Sequence, residues 1–88
     1  MPEPKQNPAD RAKLIEALVA DGWTMVWRGE VTTGKVDVMI GPKGMVWITG
    51  HTRGSGYEYH HPPIGTFDKE APNTVVLAAA RAARATDA

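Results

Sequence analysis

The sequence predicts an α+β domain of order α-β-β-β-α, an antiparallel three-stranded sheet with two helices packed on one face. Two observations carry this. Between Trp23 and Thr49 apolar residues recur at every second position: Trp23, Met25 and Trp27, then Val36, Val38 and Ile40, then Met45, Trp47 and Thr49. Strict alternation over four to eight residues is the mark of a half-buried strand. The stretches on either side instead place apolar residues at helical spacing, with Leu14, Ile15, Leu18 and Val19 before the sheet and Val75, Val76, Ala79, Ala80 and Ala83 after it.

In chain order, Met1 to Gln6 reads as a proline-rich flexible tail, and residues 7–86 as a single compact α+β domain. Asn7 suits a helix N-cap and Pro8 the first helical position, so the first helix is expected from there to about Ala20. Gly22 is placed to end it in the left-handed conformation. Ala12 shares the apolar side, and Lys13, Glu16 and Ala20 lie opposite.

Turn chemistry then sets the strand pairing. Gly41-Pro42-Lys43-Gly44 reads as a turn that puts Ile40 opposite Met45 and Val38 opposite Trp47. A turn around Thr33-Gly34 puts Val31 opposite Val36 and Trp27 opposite Ile40. In this register Trp27 and Trp47 lie inside, beneath the helices, and a one-residue slip would exchange the two faces. Tyr57 and Tyr59 allow a short fourth strand near 57–60. His61-Pro62-Pro63 forces an extended path, and Asn73 is a candidate cap for a last helix reaching about Ala85.

Composition limits the function. The 88 residues are enough for one modest core, burying roughly 60–65% of the unfolded surface. Ten basic and ten acidic residues balance, and no linear basic stripe of the kind that marks nucleic-acid binding is present. The absence of cysteine removes disulfides and thiolate metal sites and points to a cytoplasmic setting. No segment has the roughly 18–20 apolar residues that span a membrane. The abundance of Ala, Arg, Gly and Pro resembles that of proteins from high-GC bacteria or their phages, which suits a small bacterial or phage accessory protein.

Two constellations are candidates for function. With Trp27 and Trp47 inward, the opposite sheet face carries Val26, Met39, Val46 and Ile48, ringed by Arg28, Glu30, Lys35 and Asp37. Val26, Arg28, Met39, Val46 and Ile48 then form a protein-contact surface, for a homodimer or another partner. On the other reading of that face, the 51–70 segment folds across it. The second constellation is His51, Arg53, Tyr57, Tyr59, His60 and His61, which gathers all three imidazoles with an arginine and two phenols. Histidine serves as general acid or base and arginine holds phosphate, so this is the alternative site, for a nucleic-acid-directed protein. Neighbouring histidines on an extended segment point to opposite sides, which argues against one metal ion shared by His60 and His61. No cofactor is expected.

The helix running into Asp21-Gly22-Trp23 and a strand, within the α-β-β-β-α order, resembles the double-stranded-RNA-binding fold and HicA-type toxin ribonucleases. The resemblance implies the fold and neither activity. The HicA-type proteins place a histidine on the second strand after a Gly-Ser pair, where this chain reads Gly34-Lys35-Val36-Asp37. The RNA-binding family opens its last helix with lysines, where this chain reads Ala71-Pro72-Asn73-Thr74. The expectation is therefore a non-catalytic protein-interaction or self-associating accessory protein.

Overall fold

Asp10 starts the first helix, accepting a hydrogen bond from the Ala12 amide at 3.0 Å, as an N-cap aspartate does. In this computed structural model, which describes residues 10–54 and 57–87, α1 spans Arg11–Ala20. The tail and the expected cap at Asn7 and Pro8 lie outside the described residues. The Gly22 amide donates to Val19 and the Trp23 amide to Leu18, with Gly22 at φ +98°. This is the Schellman pattern, and it drops Trp23 onto Leu18 within the core.

The molecule is α+β, with two helices and a sheet of five antiparallel strands in the order β1-β2-β3-β4-β5. They are β1 (Thr24–Trp27), β2 (Glu30–Thr32), β3 (Val36–Ile40), β4 (Val46–Gly54) and β5 (Tyr57–Phe67), followed by α2 (Asn73–Asp87). Two strands exceed the three expected. The first expected strand breaks at Arg28-Gly29, where Gly29 takes φ +77° and the chain folds back so that Trp27 faces Glu30. The fourth strand, expected as a short piece near 57–60, is an eleven-residue strand that extends the sheet beside β4. Residues 57–67 therefore continue the sheet rather than fold across it.

One turn decides which residues are inside. The Gly44 amide donates to the Gly41 carbonyl at 3.0 Å, and the Gly41 amide donates to the Met45 carbonyl at 2.8 Å. The loop thus holds three residues, Pro42-Lys43-Gly44, with Gly44 at φ +92°. This is a three-residue hairpin loop closed by a left-handed glycine. Gly41 takes the place opposite Met45 that the sequence reading gave to Ile40. Ile40 pairs instead with Val46, Val38 with Ile48, and Met39 with Trp47. The slip is by one residue, so β4 turns over relative to expectation.

Val46 and Ile48, expected on the outer face, are therefore in the core, 0% and 1% exposed. Trp47, expected inside, lies half-buried on the far face, and Trp27 is 72% exposed. At the β2–β3 hairpin the shift is by two: Val31 pairs with Val38. An even shift preserves the faces, and Val31, Val36 and Val38 are buried as expected. They join Leu14 and Leu18 of α1 and Val76, Ala80 and Ala83 of α2 in one cluster, so both helices cover the same side of the sheet. Val19 and Val75, assigned to the helices' inner faces, are exposed.

Three contacts fasten the helices. Arg11, which is buried, donates from Nε to the Gly44 carbonyl at 2.8 Å and from Nη1 to Asn73 Oδ1 at 2.8 Å. Its Nη2 reaches the carbonyls of Asp68 and Lys69. Burial pushes the Arg11 guanidinium down from its ordinary pKa, against the opposing charge of Asp68. Asn73 is the first residue of α2, and Val75 and Val76 donate to the Pro72 carbonyl. The Asn73 side chain donates to the Asp10 carbonyl at 2.7 Å, tying the two helix starts together. At the other end of the helix pair, Arg81 and Arg84 both bond Asp21, at 2.9 and 3.4 Å, and Arg84 lies 5.6 Å over the Trp23 ring.

Two measurements follow from this packing. Ile48→Ala should cost about 2–5 kcal/mol, as for emptying a buried aliphatic site, and Ile48→Lys should unfold the protein. Trp27→Ala should stay within about 0.5 kcal/mol by urea denaturation; the reverse order would restore the register read from sequence. At Asp21, the hydrogen bond from Arg81 outweighs partial desolvation and, with the charges of Arg81 and Arg84, holds the carboxyl below its ordinary value. Its contribution to stability is complete above the unfolded value of about 3.9 and is lost as pH falls through the folded one. Asp21→Asn should therefore lower stability at neutral pH and flatten the acid limb of a Tm-versus-pH curve. An acid limb identical to the parent's would show that the pair contributes nothing.

Candidate functional site

Residues directly opposed on adjacent strands stand side by side on one face of a sheet. The register Trp27–Glu30–Met39–Trp47 therefore forms a row across four strands, on the side away from the helices. Three inter-strand steps make the row roughly 14 Å long. It lines an open cavity of about 700 Å³ at the end of the sheet where the β1–β2 and β3–β4 turns meet. Arg28 and Gly29 come from the first turn, Gly41 and Pro42 from the second, and Ala12 and Ile15 from α1, so the cavity wraps around the end of the sheet and is walled from both of its faces.

Each wall has a local cause. Gly29 lies so close to the next hairpin that a Cβ there would stand 2.7 Å from the Ile40 carbonyl oxygen. The Ile40 amide donates to the Gly29 carbonyl at 2.7 Å, which pins the first turn against the end of β3. The Trp47 ring comes so close to Gly41 that a Cβ there would be 3.0 Å from it. Glycine at both positions allows the two turns to close and the tryptophan ring to approach the second. Trp27, at the end of the edge strand, stays open to solvent. Its neighbour Val26 falls at a register shift in the β1–β2 pairing and is also exposed.

The lining is aromatic and aliphatic with one cation, Arg28, and one anion, Glu30. It contains no hydroxyl or thiol nucleophile beside a base, the pairing that covalent catalysis requires. Among the described residues no three or more histidine, cysteine or acidic side chains gather where they could hold a metal ion. Also among the described residues, no helix is long and apolar enough to cross a membrane. The arrangement suits binding, with large apolar surfaces for contact area and two opposite charges for orientation.

Of the five residues expected on the outer face, Arg28 and Met39 line this cavity, and Val26 is exposed beside it at the edge. Val46 and Ile48 belong to the core. The reading from sequence missed Trp27 and Trp47, and the available signal was Gly44, the residue that turns a four-residue loop into a three-residue one. Asp37, counted among the rim charges, is buried, with Thr32 and Thr49 as its cross-strand neighbours. For the alternative site, the side chains of His51, Arg53, Tyr57, Tyr59, His60 and His61 lie outside the described residues. The backbone register sets His51 opposite His60, Thr52 opposite Tyr59 and Arg53 opposite Glu58. No known protein family, curated protein or solved structure matches this chain.

Proposed function

We propose that the protein is a non-catalytic interaction module that acts through the groove walled by Trp27, Met39 and Trp47, binding a protein partner or a second copy of itself. The observation that carries this reading is Trp27, 72% exposed beside an apolar cavity. An isolated exposed apolar residue is ordinary, but one that continues a half-buried aromatic and thioether surface is the pattern of contact sites. Tryptophan is the residue type most enriched among those that dominate binding energy. Methionine beside it adapts its shape to what it meets.

The charge pattern supports a protein rather than a nucleic-acid partner. One arginine and one glutamate in the lining cancel, whereas phosphate recognition calls for clustered cations. Association through such a groove should tolerate salt, because screening acts on exposed charges and not on apolar burial.

The test compares the parent protein with Trp27→Ala in sedimentation equilibrium and in capture from a cell extract, at low and high salt. Trp27→Ala should keep its circular dichroism and urea midpoint and weaken association by about 2 kcal/mol, roughly thirtyfold. Undiminished association, or binding lost steeply with added salt, would reject this reading; the second outcome would favour the nucleic-acid alternative.

A further inference from the structure

Resting on that reading of the groove, we infer that its partner is a second copy of this chain. A two-fold axis relates the copies, with Trp27 of each in the cavity of the other and Arg28 of each against Glu30 of the other. In a two-fold contact one patch meets itself, so the patch must carry both a projection and the hollow that receives it. This one does. Trp27, the last residue of the edge strand β1, projects into solvent, and the cavity lined by Met39, Ile40 and Trp47 lies beside it. Among the described residues Trp27 is the most exposed of the large apolar side chains, so its transfer into a partner's cavity removes the most apolar surface from water.

The charges are self-complementary as well. The lining holds one cation and one anion, Arg28 and Glu30, separated in sequence only by Gly29. A two-fold axis sets each against its opposite in the other copy, so one contact yields two ion pairs. A patch carrying a single sign of charge would repel its own image. The whole chain, with ten basic and ten acidic residues, also brings no net repulsion to the encounter. Apolar burial then supplies the affinity, and the charges fix the orientation.

The edges of the sheet favour this contact over one made strand to strand. At one edge, β1 shifts register between Met25 and Trp27, which interrupts the ladder that an added strand needs. At the other, β5 contains Pro62 and Pro63, which have no amide hydrogen to donate. Consecutive amides point to opposite sides of a strand, so one of the two leaves a gap in the outer row of donors. What β1 does offer is apolar side chains. Met25 and Val26 are exposed next to Trp27, and Thr24–Trp27 lacks the charged residues that usually guard an open edge. A second copy seated on the groove at the end of β1 would cover them.

Charge exchange tests the pairing. The parent, Arg28→Glu, Glu30→Arg and the two variants mixed in equal amounts are compared by sedimentation equilibrium at low salt, from about 1 μM to about 1 mM. Circular dichroism and urea midpoints check that each variant is folded. The parent should form a dimer and nothing larger. Either variant alone sets like charges against each other twice and should weaken the dimer about tenfold or more. In the mixture every charge again meets its opposite, so a heterodimer should form at least as tightly as the parent dimer. Variants that associate as the parent does, a mixture that fails to restore association, or assemblies that keep growing with concentration would overturn the inference. A parent that stays monomeric throughout would overturn it too. A monomeric parent whose Trp27→Ala variant loses capture of another protein rejects the second copy alone and leaves the interaction reading of the groove in place.

Discussion

The buried guanidinium of Arg11 is the contact on which the arrangement of the whole molecule depends. Its donors end on the β3–β4 turn, on the segment before α2 and on the first residue of α2. Those partners lie more than thirty residues away along the chain. A planar fork of donors suits this task, since arginine can serve several fixed carbonyls at once and lysine cannot. The Gly44 carbonyl, the Asp68 and Lys69 carbonyls and the Asn73 side chain, from three separate parts of the chain, are gathered onto one donor group, with the Asp68 carbonyl also accepting from the Ala71 amide. The arrangement also places α1 so that its apolar side meets the sheet while Ala12 and Ile15 reach the groove.

Within that frame the two faces of the sheet do different work. The face under the helices holds small and branched aliphatics, where Val31, Val38 and Ile48 line up across β2, β3 and β4. Helix α2 offers Ala80 and Ala83 toward it, so the layers approach closely. The far face holds the large rings and the thioether, which a close approach of this kind would not accommodate. Two of the three tryptophans are thus left out of the core, and only Trp23 is buried. Bulky aromatic surface that is not used for stability is available for contact, which is why the interaction reading rests on that face.

The legible part of the fold was what depends on neighbours in sequence. The two helices, the glycine stop at Gly22, the alternating strands and the inward side of Val31, Val36 and Val38 all follow from local periodicity and turn chemistry. The site was legible only in part. Arg28 and Met39 were singled out, but with Val46 and Ile48 as companions in place of Trp27 and Trp47. Period-two alternation shows that a strand has two faces without saying which is buried. In β4 both candidates, Val46 with Ile48 and Met45 with Trp47, are apolar, so hydrophobicity offered no preference.

By itself, then, the sequence determined the α+β class, the helix limits to within a turn at their inner ends, and the alternating character of the strands, because these arise from backbone preferences a few residues wide. Only the tertiary structure decided the pairing. A left-handed Gly44 made the β3–β4 loop one residue shorter than read, and that residue moved Trp47 from the core to the groove. Likewise Gly29, packed against the Ile40 carbonyl, split one expected strand into two. Both outcomes turn on how closely one piece of backbone can approach another, and that is a property of the packed chain rather than of any window of its residues.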